Sequence, residues 1–205
     1  MDTEVLAVAR AAKGFMPDEE GLALYRAALE AASRGPLLEI GSYCGKSTLY
    51  LGAAARERDT VVFAVDHHRG SEENQAGWEH HDPSLVDPDT GLIDTLPTFR
   101  KTIAKAGLEG VVIAVVGDSP TVARHWQTPL GLVFVDGGHA LDVAEADYEH
   151  WAANVAAGAF LVFHDVFEDP ADGGQSPFEV WKRAVASGRF APVSTTGSLR
   201  VLAAR

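Results

Sequence analysis

Short apolar runs alternate with stretches of helical spacing along most of this chain. The runs are residues 36–41, 60–66 ("TVVFAVD"), 111–116 ("VVIAVV"), 131–136 ("GLVFVD") and 159–164 ("AFLVFH"). Each is rich in branched side chains and bounded by glycine or polar residues, the pattern of a buried strand. Ahead of them, residues 3–34 predict one or two helices broken near "KGFMPDEEG". Between the fourth and fifth runs, Leu141, Ala144, Tyr148, Trp151 and Val155 recur at spacings of three and four. That spacing predicts an amphipathic helix ending at Gly158. Alternating strands and helices predict a parallel sheet covered by helices on both faces. "PVSTTGSLRVLAA" predicts a closing antiparallel hairpin that turns at Gly197. Residues 71–91, "SEENQAGWEHHDPSLVDPDTG", are aperiodic and rich in turn formers, and predict a long rim loop that acts as a lid.

Composition narrows the class. A chain of 205 residues suits one domain, expected to span residues 1–205, and 46% hydrophobic residues supply a sizeable core. A net charge of −12 repels phosphate backbones and anionic lipid, so no nucleic acid and no membrane is expected as partner. Cys44 is the one cysteine, which excludes an intramolecular disulfide and fits a reducing compartment. No apolar run follows a basic start and none is long enough to span a bilayer, so a cytoplasmic protein is expected.

Residues 37–48, "LLEIGSYCGKST", carry the first chemistry. Gly45-Lys46-Ser47-Thr48 imitates the end of a phosphate-binding loop, but Gly41 and Gly45 are only three residues apart, and Ile40 stands where that loop needs its first glycine. A nucleotide hydrolase would also leave Asp66 without a task. A dinucleotide site needs a glycine where Tyr43 stands. S-adenosylmethionine (SAM) fits better. Asp66 follows the loop by about 20 residues, the spacing for an acid that grips ribose hydroxyls. Asp118 and Ser119 follow the third strand and suit adenine. The methionine end would lie beside Gly41, with Glu39 holding its cationic group. Lys46 at a helix start opposes the dipole and is expected to turn to solvent or an acid. Cys44 is expected as a small buried filler.

The blocks "LLEIGSYCGKST", "VFAVDHH", "VVGDSP", "LVFVDGGH" and "LVFHDV" resemble, in order and spacing, class I SAM-dependent methyltransferases. More narrowly they are similar to the group related to metal-dependent sugar O-methyltransferases, over roughly residues 30–170. The resemblance implies a Rossmann-like, doubly wound, mostly parallel seven-stranded sheet with the C-terminal hairpin added, N-terminal helices at 3–34 and a lid-like rim loop at 67–95. It places Glu39, Gly41, Ser42, Gly45, Ser47 and Thr48 at the cofactor, together with Asp66, His67, Asp118 and Ser119. It implies SAM as cofactor and a hydroxyl of a small sugar, glycoside or oligosaccharide as methyl acceptor, with a methylated mannoside of polysaccharide biosynthesis as one candidate. A homodimer is the default expectation from symmetry. The alternatives are a SAM-fold binding or regulatory protein without turnover, and a P-loop-like NTPase.

Asp136 and Asp165 end consecutive predicted strands. If those strands are neighbours, the carboxylates lie roughly 5 Å apart. A divalent cation, expected to be Mg²⁺, would relieve their repulsion and lower the pKa of a chelated sugar hydroxyl. His139, three residues after Asp136, is then expected as general base. In the sugar O-methyltransferases that the chain resembles, an aspartate followed three residues later by a histidine plays these metal and base roles. His164 stands where those relatives carry a carboxylate. Histidine prefers Zn²⁺, Mn²⁺ or Fe²⁺, so either Asp136 and Asp165 bind the metal alone or His164 joins a site for another metal. The short N-terminal region argues against a macrolide acceptor. The pairs His67-His68 and His80-His81 flank the rim loop and are expected as solvated loop histidines, with a second metal site as the alternative, and His125 and His150 are expected as surface residues. Trp78 is either a sugar-stacking side chain or a buried loop anchor. Gln175 is either a hydrogen-bond donor to substrate or part of a plain connection.

Overall fold

The computed structural model describes residues 1–138 and 140–205. Seven strands share one sheet: β1 (Leu37–Ile40), β2 (Val62–Asp66), β3 (Val112–Val116), β4 (Leu130–Val135), β5 (Val155–Phe163), β6 (Phe190–Thr196) and β7 (Leu199–Ala204). Their order is β3-β2-β1-β4-β5-β7-β6. The first five pair in parallel, while β7 runs antiparallel between β5 and β6. Seven α-helices accompany them among the described residues: α1 (Thr3–Ala11), α2 (Asp18–Ala31), α3 (Lys46–Glu57), α4 (Leu96–Lys105), α5 (Ser119–Ala123), α6 (Leu141–Trp151) and α7 (Ser176–Ala186). This is the doubly wound arrangement that the strand–helix alternation predicts. No helix among the described residues is long and apolar enough to cross a membrane.

The sheet divides the core in two. In β4 every residue is buried, as a strand covered on both faces requires. Its Leu132 and Phe134 join the layer of α1, α2, α3 and α4, and Val133 and Val135 join the layer of α5, α6 and α7. The buried stripe of α2 runs Glu20, Leu24, Ala27, Ala28 and Ala31, so a carboxylate occupies the first position of an otherwise apolar face. That face packs on α3 and reaches β4, β5 and β7.

One expected element is divided differently. The helix expected to run to Gly158 stops at Trp151, a single 3-10 turn covers Ala152–Asn154, and Val155 already belongs to β5. The small residues there continue a helical stripe and a strand equally well, and pairing with β4 decides. Gly158 sits inside β5 at φ +70, where the register with β4 jumps from Leu130↔Val155 to Leu132↔Phe160. The extra residues bulge out, and glycine accepts the left-handed backbone. The rim loop is also more structured than its composition suggests. It holds 3-10 turns at Glu72–Asn74 and Pro83–Leu85, a bridge between Val86 and Ile93, and two anchors, Leu85 and Ile93, packed on Cys44.

Candidate active site

The glycine loop leaves β1 through Gly41, at φ +82. A Cβ there would lie 2.1 Å from the Asp136 carbonyl oxygen, so only glycine lets the loop close on the end of β4. Gly45, at φ +92, turns the chain into α3. Asp66 holds the loop from beneath. Its Oδ2 accepts the N–H groups of Ser42 (2.9 Å) and Tyr43 (2.8 Å), and its Oδ1 accepts that of His68 (2.6 Å). The residue expected to bind ribose therefore organises the glycine loop.

Glu39 is wholly buried behind that loop. Its Oε2 accepts the Thr48 hydroxyl at 2.5 Å, while Oε1 meets no hydrogen-bond donor. Burial pushes its carboxyl up to about 8. The Ser47 and Thr48 hydroxyls oppose the rise, and the charges of Asp136 and Asp66 add to it. Ser47 and Thr48, expected at the cofactor, thus face Glu39. Lys46 lays its stem along the N-terminal segment, where a Cβ on Gly14 would fall 2.8 Å from the Lys46 Cβ.

The remaining cofactor candidates have tasks inside the fold. Asp118 caps α5, accepting the N–H (3.0 Å) and hydroxyl (2.7 Å) of Thr121, and the Thr121 hydroxyl leads in lowering its pKa. Ser119 accepts the indole N–H of Trp151 at 2.8 Å and its hydroxyl also bonds Asp147. His67 is exposed, and its Nδ1 accepts the Arg69 N–H at 3.0 Å.

The strand ends assemble the other half of the site. Val135 pairs with Phe163 in the β4–β5 register, so Asp136 and His164 emerge side by side. His164 Nδ1 lies 3.0 Å from Asp136 Oδ1 and 3.3 Å from Asp165 Oδ2. Its Nε2 lies 2.6 Å from Glu20 Oε2. One ligand atom from each of Asp136, His164 and Asp165 falls within 4.8 Å of the others. Asp165 is a non-glycine residue at φ 53, the kind of backbone strain that clusters at functional sites. Burial pulls the His164 pKa down, but the carboxylates of Asp136, Asp165 and Glu20 outweigh it and raise it to about 12. For Glu20 the burial penalty acts upward, and bonds from His164 and Ser198 carry its pKa below the usual carboxylate value. A cavity of about 10 Å³, room for one water, lies between Asp136, Gly137, Asp147 and His164. The expected base, His139, lies outside the described residues.

Two residues of this region were missed by sequence reasoning. Glu20 and Asp147 are both buried carboxylates on apolar helix faces. Asp147 is raised to about 6, chiefly by burial, with the Ser119 hydroxyl opposing. The available signal was a carboxylate at a stripe position: Glu20 four residues before Leu24, and Asp147 three after Ala144.

Several expectations change. His68 is buried rather than solvated, because the rim loop folds over it: Nδ1 lies 2.7 Å from the Thr95 hydroxyl and the ring packs on Phe99. His80 is exposed, as expected, and meets the Phe15 ring at a tilt, while His81 is half-buried with Nδ1 2.9 Å from the Asn74 carbonyl. His125 is exposed, but His150 is half-buried. Trp78 is 52% exposed and is no buried anchor; Leu85 and Ile93 fill that role. Gln175 donates to the Phe167 (3.1 Å) and Gly173 (3.2 Å) carbonyls, which favours the plain connection into α7. Cys44 is the expected buried filler, its thiol pushed up to about 12 by burial.

Comparison with known proteins gives the family and the fold. The family model described as "Methyltransferase domain" matches residues 38–166, more than half of the chain. Among solved structures, the SAH-bound methyltransferase PaMTH1 of Podospora anserina superposes with a TM-score of 0.68 at 13% identity, covering 100% of this chain and 89% of its own. The SAM complex of the O-methyltransferase TomG of Streptomyces achromogenes, involved in tomaymycin synthesis, gives 0.67 at 17% identity, with 100% and 90% covered. An O-methyltransferase of Bacillus cereus bound to SAH gives 0.64 at 18% identity, with 98% and 89% covered. The match over residues 38–166 and the strand order place the chain in the methyltransferase-domain family, with the fold of class I SAM-dependent methyltransferases.

Proposed function

We propose that this chain is a SAM-dependent O-methyltransferase that methylates a hydroxyl of a small sugar, glycoside or oligosaccharide, assisted by a divalent cation at Asp136, His164 and Asp165. The observation that carries the reading is the closure of Gly41 on the Asp136 carbonyl, which sets the cofactor loop directly against a three-ligand cluster. Methyl transfer to a chelated hydroxyl needs that adjacency, because donor and acceptor must align in line.

The residues fit both groups. The fully buried Glu39 Oε1, which meets no donor within the fold, suits the cationic end of SAM. Asp66 Oδ1, which accepts the His68 N–H while Oδ2 takes the Ser42 and Tyr43 donors, retains one lone pair for a ribose hydroxyl. Two carboxylates and one imidazole nitrogen suit a divalent metal. When bound, the sulfonium supplies an activated methyl group and the cation acidifies the acceptor hydroxyl. Asp136 and Asp165 then orient the acceptor, and an imidazole nitrogen of His139 takes its proton. A cleft of about 370 Å³ beside the loop, between Lys13–Phe15 and residues 79–83, suits the acceptor. Phe15 offers an exposed aromatic face there, 5.7 Å from the Tyr43 ring and 4.7 Å from His80, next to polar Glu79 and His81. A mixed apolar and polar wall of this kind suits a sugar ring. A cytoplasmic homodimer is part of the reading.

The test is methyl transfer from labelled SAM to a panel of glycosides, using metal-stripped protein with and without added cation. We expect transfer only with cation, and a loss of about 10²–10⁴ in rate for His139→Ala with SAM affinity unchanged. Full activity after chelation would remove the cation from the mechanism. SAM binding with no transfer to any hydroxyl would favour a binding or regulatory protein.

A further inference from the structure

We infer that Glu20 is a positioning residue that turns the His164 ring so that Nδ1 faces Asp136 and Asp165, and thereby makes this cluster selective for a borderline divalent ion such as Mn²⁺, Fe²⁺, Co²⁺ or Zn²⁺ over Mg²⁺. The inference rests on the cation site of the preceding reading and adds a residue from outside residues 38–166, the part that the family model matches.

Glu20 reaches the site from α2 and is 6% exposed. Its carboxylate is clamped from the other end of the chain. Oε1 accepts the Ser198 N–H at 2.8 Å, and Oε2 accepts the Ser198 hydroxyl at 3.0 Å besides its contact with His164. Gly197, at φ +53, makes the approach possible, since a Cβ there would fall 2.1 Å from Glu20 Oε1. A carboxylate held this firmly at 2.6 Å from Nε2 keeps the proton on that nitrogen, so a cation that displaces the other ring proton takes Nδ1 as its ligand atom. Nδ1 is the atom that faces Asp136 Oδ1 and Asp165 Oδ2, at 3.0 and 3.3 Å. The ring has little room to turn otherwise, being 4% exposed with Phe134 packed edge-on at 6.2 Å. A hard, oxygen-seeking ion such as Mg²⁺ gains little from an imidazole nitrogen, whereas Mn²⁺, Fe²⁺, Co²⁺ and Zn²⁺ accept it readily.

The experiment titrates the metal-stripped full chain with Co²⁺ and with Mg²⁺, and follows SAM affinity in parallel as a check that each variant is folded. Glu20→Gln should weaken Co²⁺ binding about 10–100-fold, the usual effect of losing the carboxylate behind a ligating histidine, and leave Mg²⁺ binding nearly unchanged. In the Co²⁺ protein, the His164 Nε2–H should give a paramagnetically shifted, slowly exchanging proton resonance that Glu20→Gln abolishes. Glu20→Asp should restore part of the affinity. His164→Asp should narrow the Co²⁺ to Mg²⁺ preference at least tenfold. If Glu20→Gln does not fold, Ser198→Ala, which removes one bond to the carboxylate, should give a smaller loss in the same direction. The inference is overturned if Co²⁺ and Mg²⁺ weaken equally, or if His164→Asp leaves the preference unchanged. It is also overturned if the protein binds no divalent ion. Selective Co²⁺ binding without methyl transfer to any acceptor would leave this inference standing and sink the proposed reaction.

Discussion

Glu39 in β1 and Asp66 at the end of the neighbouring β2 meet opposite electrostatic conditions. Asp66 receives three backbone N–H groups, while Glu39 has one oxygen with no donor and a carboxyl pushed up to about 8. At neutral pH Glu39 therefore holds its proton, and a cationic group arriving beside it favours the ionised form. SAM binding should release a proton at pH 7, and affinity should rise with pH until the carboxyl has ionised near 8. Calorimetry in buffers of different ionisation enthalpy measures that proton directly. A release that persists in Glu39→Gln would assign it elsewhere. Asp66→Ala should weaken SAM binding at least tenfold, since charge-assisted bonds contribute about 1.5–3 kcal/mol and the loop N–H groups lose their acceptor. An unchanged dissociation constant would move the ribose site. Asp66 and the glycines were readable from spacing alone, because a loop and an acid at a strand end are local features. The hydroxyls of Ser47 and Thr48 on Glu39 were not, since which way a side chain turns depends on what packs against it.

Elements were readable to the extent that their hydrophobic period was unambiguous. β4, with an unbroken apolar run, lies within one residue of its expected place. The stretch from Ala152 to Gly158 was not readable, because alanine and glycine carry almost no period, and pairing with β4 resolved it as strand. The contact between the glycine loop and β4 supplies a test at this scale. Gly41 (φ +82) and Gly77 (φ +93) share a left-handed backbone, but a Cβ at Gly41 meets Asp136 at 2.1 Å and one at Gly77 meets nothing within 4 Å. Gly77→Ala should cost only the backbone term, about 1–2 kcal/mol. Gly41→Ala should cost clearly more and also lose SAM affinity, as read from urea unfolding and cofactor titration. Equal losses for the two variants would mean that the loop does not rest on Asp136.

For the whole molecule, the buried titratable groups set how stability follows pH. His164 is raised from 6.5 to about 12, so in the metal-free protein its contribution is full below 6.5 and is lost as pH climbs toward 12. Glu39 and Asp147 keep their protons to about 8 and about 6, so each also costs stability as pH rises from the ordinary carboxylate range through those values. Glu20, lowered, acts in the reverse sense: its contribution is present above 4.5 and is lost on acidification. Metal-stripped protein should therefore lose stability steadily from pH 6 to 9. His164→Asn should make the slope shallower by one proton, and an unaltered slope would refute the network's part in it. What the sequence determined by itself is the alternation of strands and helices, the glycine loop with its acid, and the grouping of Asp136, His164 and Asp165. All of these follow from local periodicity together with the rule that parallel strands present their carboxyl ends on one rim. The tertiary structure alone decided that Glu20 stands behind His164, 144 positions away, and that Ser198 clamps Glu20 across 178. Those bonds exist only because α2 docks its single stripe carboxylate against the turn between β6 and β7. A polar contact between distant side chains leaves no period in the chain that carries it.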